Sequence, residues 1–184
     1  MHAQVELVLE SIYGSKDYVA VRPGAFATNV QWFQGYKDGN VKLFHPEAKF
    51  DYITPLDMGR VSGTILAKGR QEGGDKTPVL FGPEPLSQES AVQTIAKVTG
   101  KDLKVTSINL DEGIKMNESA GMPPPLAKYL AERMDHVGGG TAASHPDLYK
   151  EGVGNIERLS GKPATGFKEW AENNKEFFNN LVSA

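Results

Sequence analysis

The chain has 184 residues, 39% of them apolar and 23% charged, with 20 basic against 23 acidic side chains, a net charge of −3 and no cysteine. That is enough apolar sequence for one ordinary domain, and it excludes disulfides, zinc–thiolate centres and thiol nucleophiles. No Lys/Arg run could neutralise a series of phosphates, and no apolar run approaches the roughly 20 residues of a membrane span, so neither nucleic acid nor membrane is an expected partner. The N-terminal residues lack a basic leader segment, which makes cytoplasm the expected compartment.

In chain order, Val5, Leu7, Val8, Leu9 and Ile12 fall at helical spacing, with Gly14 placed as a C-cap. Residues 17–22, Asp-Tyr-Val-Ala-Val-Arg, read as a short buried strand of a parallel sheet, stopped by Pro23-Gly24. No glycine-rich nucleotide turn precedes that strand. One βα unit buries neither face of its strand, so the strand reads as part of a larger sheet. An aromatic-bearing turn or helix (Phe26, Val30, Trp32, Phe33) follows, then a glycine-rich break at 35–39 and extended pieces at 41–44 and 50–54.

Asp57 is expected to cap a helix bearing Met58, Val61, Ile65 and Leu66, and Gly59 and Gly63 suggest close approach to a neighbour. A polar loop at 69–76 leads to a strand at 77–81, whose Pro78 confines it to a first or edge position. Ser87 should cap a helix with Ala91, Val92, Ile95, Ala96 and Val98 on one face, ending at Gly100. Beyond it the pattern predicts a strand at 103–108 and helices at 110–119 and 126–137, the second entered through Pro123-Pro124-Pro125. A flexible loop is expected at 138–144. A last helix presents Phe167, Trp170, Ala171, Phe178 and Leu181 on one face, capped by Thr165.

Little of this carries local chemistry. The four histidines (His2, His45, His136, His145) show no metal spacing and no neighbouring nucleophile elbow, so surface or capping roles are expected. No tyrosine has a lysine four residues on, which removes the local Tyr-x-x-x-Lys dyad. Gly138-x-Gly140-x-x-Ala143 satisfies a relaxed dinucleotide fingerprint, but it follows a charged amphipathic helix rather than a strand, and reads as a loop. No metal ligands and no catalytic residue are assigned.

The best site candidate is Arg22-Pro23-Gly24-Ala25-Phe26-Ala27-Thr28-Asn29. A buried strand ending in Pro-Gly throws the backbone across the carboxyl edge of the sheet, where open α/β folds bind ligands. Phe26, Trp32 and Phe33 can wall an apolar pocket, and Asn29 offers an amide to a carbonyl or carboxamide. The same composition suits a turn packed over the sheet by core aromatics, so the residues alone leave both open.

Four segments in order carry a family resemblance. Val19-Ala20-Val21-Arg22-Pro23-Gly24-Ala25-Phe26-Ala27-Thr28-Asn29, Tyr52-Ile53-Thr54-Pro55-Leu56-Asp57-Met58-Gly59, Val79-Leu80-Phe81-Gly82-Pro83-Glu84-Pro85-Leu86-Ser87 and Leu159-Ser160-Gly161-Lys162-Pro163-Ala164-Thr165-Gly166-Phe167-Lys168-Glu169-Trp170 together resemble the C-terminal half of NmrA-like atypical short-chain dehydrogenase/reductases. The resemblance implies an α/β fold: the C-terminal part of a Rossmann-like parallel sheet with a smaller, mostly helical substrate-side region. Residues 1–184 form one such region, with Rossmann-derived elements at 1–35 and 50–85 and a helical part at 86–184.

By the same resemblance, Pro23, Gly24 and Ala25 sit by the nicotinamide of NAD(P)H, while Phe26, Asn29, Trp32 and Phe33 face a small-molecule substrate. His2 takes the place of the lysine that active relatives can carry on the first helix, with Glu6 one turn on. The expected function is that of an NAD(P)-binding oxidoreductase-type protein, N-terminally truncated and without the glycine turn, so that cofactor binding is weak or absent in this chain alone. The alternatives are a non-enzymatic redox-sensing or protein-interaction module whose helices from Pro123 onward meet a protein partner, and a homo-oligomer that completes its sheet by strand pairing.

Overall fold

The computed structural model describes residues 2–14, 18–69, 76–140 and 145–183, apart from the side chains of His2 and Val137. Asp17, most of the polar loop and residues 141–144, which include Ala143 of the glycine pattern, lie outside this set. The architecture is mixed α/β, with six short strands and mostly helical connections among the described residues.

Helix α1 (His2–Tyr13) ends with Gly14 at φ 67°, its N–H donating to the Glu10 carbonyl. Strand β1 (Arg22–Pro23) runs parallel to β4 (Val79–Leu80), and the ladder extends beyond both, from Ala20 N–H on the Lys76 carbonyl to Gly24 N–H on that of Leu80. Strand β2 (Asn40–Phe44) pairs parallel with β6 (Lys104–Ile108), and β3 (Lys49–Phe50) antiparallel with β5 (Leu86–Ser87). The expected parallel pairing is present, divided among separate two-stranded units.

Helix α2 (Pro55–Lys68) starts two residues before the expected cap: Thr54 is the N-cap, its Oγ1 accepting the Asp57 N–H, and Pro55 takes the first turn, where no amide is needed. Asp57 is inside the helix and fully buried. Gly59 and Gly63 face open space, with nothing within 4 Å of a Cβ built on either, so the expected close approach does not occur there. Helix α3 (Gln88–Thr99) is capped by Ser87 and closed by Gly100 as expected. Helix α4 (Leu110–Ser119) opens with a reciprocal Asn109/Glu112 capping box, and α5 (Pro124–Val137) follows.

Helix α6 (Pro146–Ser160) has no counterpart in the sequence expectations. The expected last helix is two, α7 (Phe167–Asn173) and α8 (Lys175–Val182), separated at Asn174, whose φ of −116° leaves the helical region. Gly166, not Thr165, precedes α7, and the break lets both helices turn apolar faces to α3. One core cluster joins Ala91, Val92 and Ile95 of α3 to Phe167, Trp170 and Phe178, with Tyr52 beneath. A second, of Ile53, Val61, Leu80 and Ile156, sits where α2 and α6 meet β4. Among the described residues no helix is long and apolar enough to cross a membrane.

Candidate functional site

The turn that follows β1 is stitched to the 51–54 segment. Ala25 N–H donates to Asp51 Oδ1 at 3.2 Å, Ile53 N–H to the Ala25 carbonyl at 2.8 Å, and Ala27 N–H to the Ile53 carbonyl at 2.8 Å. Gly24 has to be glycine here, because a Cβ would stand 2.5 Å from Phe81 and 2.8 Å from Asp51 Oδ1. The chain then enters a 3₁₀ helix over Ala27–Trp32.

A 3₁₀ helix has three residues per turn, so positions i and i+3 eclipse and side chains sort into three rows. Ala27 and Val30 are fully buried, and Phe33, next in that row, packs against the core cluster. Phe26, Asn29 and Trp32 form the exposed row, with Trp32 63% exposed. Thr28 and Gln31 form the third row and look toward α2 and α7. Of the four residues expected to face substrate, three therefore share one surface, and Phe33 supports that surface from the core side.

Asp51 is 1% exposed, and its Oδ2 has no hydrogen-bond partner among the described residues. The Tyr149 hydroxyl donates to the Gly82 carbonyl at 3.1 Å, and its ring stacks on Phe81. Burial first, then the negative charges of Asp51 and Glu84, push the Tyr149 phenol above its ordinary value. Sequence reasoning passed over Asp51 and Tyr149. The only available signal was a carboxylate set among apolar residues in Phe50-Asp51-Tyr52-Ile53, a pattern unable to say which group it meets.

A second buried acidic residue, Asp57 of α2, holds the C-terminal segment. Asp57 Oδ2 accepts from Thr54 Oγ1 at 3.0 Å and from the Thr165 N–H at 2.8 Å, while Oδ1 accepts from Thr165 Oγ1 at 3.0 Å and from Arg60. This joins the start of α2 to the residue before α7 and fixes the wall beside the 3₁₀ helix. Elsewhere, His45 bridges Glu47 and Asp135, each at 2.9 Å, and those two hydrogen bonds raise its pKa. No group of metal-ligating side chains occurs among the described residues. Glu6 pairs with Arg22.

The backbone donors of Gly24 and Ala25 are already committed, and the N-termini of α2, α3 and α4 are capped by Thr54, Ser87 and Asn109. These residues do not fit a pyrophosphate, which needs free amides at a glycine turn. The exposed Phe26–Asn29–Trp32 row does suit a flat ring bearing a carboxamide or carbonyl.

No family model matches the chain. It is 31% identical to the nitrogen metabolite regulation-like protein bik4 of Gibberella fujikuroi, over 93% of this chain and 55% of that protein. It is 25% identical to a (4-alkanoyl-5-oxo-2,5-dihydrofuran-3-yl)methyl phosphate reductase of Streptomyces griseus, over 86% of this chain and 53% of that protein. The chain thus spans about half the length of these relatives. The fold matches that of the Escherichia coli NADPH-dependent quinone oxidoreductase QOR2 in complex with NADPH, with a TM-score of 0.64 and 18% identity, over 94% of this chain and 58% of that one. The ordered sequence segments, the parallel βα framework and these likenesses agree in supporting the NmrA-like family of atypical short-chain dehydrogenase/reductases.

Proposed function

We propose that this chain forms the substrate side of a nicotinamide-dependent reductase, with Pro23, Gly24 and Ala25 beside the nicotinamide and Phe26, Asn29 and Trp32 facing a small carbonyl or enone substrate, Phe33 backing them. The observation that carries the reading is the exposed Phe26–Asn29–Trp32 row at the carboxyl end of a parallel strand, where open α/β sheets receive ligands. The names of the Streptomyces relative and of QOR2, both reductive, support it.

In this reading NAD(P)H supplies hydride when bound. The protein's own part is geometric. The Asp51–Ala25 and Ile53–Ala25 hydrogen bonds hold the turn rigid, the Asn29 amide donates to the substrate carbonyl, and Phe26 and Trp32 cover the reacting face against water.

Saturation-transfer NMR of NADPH with the full chain tests this. Weak binding is expected, with saturation strongest at the nicotinamide protons and reduced by Asn29→Ala or Trp32→Ala. Saturation centred on the adenine protons, or unchanged in both variants, would contradict the assignment.

A second reading, a non-enzymatic module with a protein partner, is favoured by the exposed Leu126, Tyr129 and Leu130 on α5. Absence of any transfer to NADPH, with intact folding, would favour it over the reductase.

A further inference from the structure

The third row of the 3₁₀ helix borders a groove of its own. Thr28 and Gln31 form one bank; Leu56 at the start of α2, Trp170 and Asn173 of α7, and Phe177 of α8 are among the residues opposite, around a volume of about 390 Å³. That is within the roughly 300–1,000 Å³ range of small-molecule sites. The groove does not include Phe26, Asn29 or Trp32, which occupy a separate row of the helix.

Three features define what it would take. No charged side chain lines it, so neither an anion nor a cation would be compensated there. The Trp170 ring is largely buried, at 6% exposure, while its indole N–H makes no hydrogen bond among the described residues and keeps contact with solvent, so the donor is open to a ligand. The side chains of Thr28, Gln31 and Asn173 likewise make no hydrogen bond within the described protein, while Leu56 and Phe177 supply apolar surface 54% and 41% exposed. A donor beside aromatic walls, with adaptable amides at the rim, is complementary to a flat, uncharged ring carrying a carbonyl acceptor.

We infer that this groove is a second ligand site, for an uncharged ring compound bearing a carbonyl, back to back with the Phe26–Asn29–Trp32 surface across one 3₁₀ helix. The site is independent of the reductase reading, since it uses none of that surface's residues. Occupancy would nonetheless bear on the surface, because the rows share one short backbone.

The chain has two tryptophans, so its nitrogen-labelled NMR spectrum contains two indole N–H signals, assigned by Trp32→Phe. The full chain is titrated with 1-naphthamide and, separately, with the charged analogue 1-naphthoate. The amide should shift the Trp170 signal and the carboxylate should leave it in place. Gln31→Leu with Asn173→Leu should weaken the amide about tenfold, the loss expected for two neutral hydrogen bonds. Leu56→Arg, at an already exposed position, should turn the preference toward naphthoate. The proposal is overturned if the amide moves only the Trp32 signal or neither, if naphthoate binds the unaltered chain equally well, or if the double variant binds as the parent does.

Discussion

The Asp57 network gives a sharp test of how this fold is held. Asp57 is fully buried and accepts four hydrogen bonds, one of them from the Arg60 guanidinium, whose Nε is itself buried without a partner among the described residues. Asp57→Ala would leave that cation with only the Pro163 carbonyl and the Thr165 hydroxyl, and would orphan the Thr165 N–H. Removing one partner of a buried pair costs about 3–5 kcal/mol, because the other charge stays behind uncompensated. Arg60 retains 23% side-chain exposure, so water reaches it and the lower end, about 3 kcal/mol, is expected. With an m-value of about 2 kcal/mol/M in urea, the unfolding midpoint should fall by about 1.5 M at constant m. A Thr165→Val partner in a double-mutant cycle should show coupling of about 1–2 kcal/mol. A midpoint shift below about 0.5 M, or additive behaviour of the two substitutions, would refute the view that this carboxylate ties α2 to the C-terminal helices.

Three further outcomes follow from other parts of the molecule. His45 is held above its ordinary value of 6.5 by hydrogen bonds to Glu47 and Asp135. Its contribution to stability is therefore fully present below that value and is lost as pH rises through the folded-state pKa. His45→Gln should flatten that part of the stability–pH profile, and an imidazole titrating at or below 6.5 by NMR would remove the basis for the claim. In α6, Gly152→Ala would place a Cβ 2.2 Å from the buried Phe81 ring, and should cost about 1–3 kcal/mol by thermal unfolding. Two residues on, Gly154→Ala meets nothing within 4 Å and should stabilise the same helix by about 0.5–1 kcal/mol. Equal effects at the two positions would mean that Phe81 yields.

Local grammar was readable where the deciding group lies a few residues away. The Ser87 cap and Gly100 stop of α3, and the helix over Leu110–Ser119, depend on contacts within one or two turns, so spacing and residue type sufficed. The strand before the turn was legible as well, though not its neighbour or its end: expected over 17–22 and stopped by Pro23, it is β1 at Arg22–Pro23, because the Gly24 N–H still bonds the Leu80 carbonyl. Helix α6 was missed because Gly152 and Gly154 dilute its pattern, and its stability comes from outside: Gly152 admits the Phe81 ring, and Asn155 donates to the Val79 carbonyl at 3.0 Å. The single closing helix became two because α3 offers a surface that a straight helix could not cover with both Trp170 and Phe178.

By itself, the sequence determined an α/β chain resembling the NmrA-like kind and singled out the turn at Arg22–Asn29 as a site candidate, because strand stops, caps and apolar rows are short-range properties of the backbone. Tertiary structure alone decided which face each residue of that turn presents. The 3₁₀ pitch sends Phe33 to the core, Phe26, Asn29 and Trp32 outward, and Thr28 and Gln31 to a groove walled by helices about 140 residues further along the chain. It also decided that Asp57 meets Thr165 and that Asp51 meets the Ala25 amide. A carboxylate's partner is set by where the chain returns in space, and no local pattern of side chains records that.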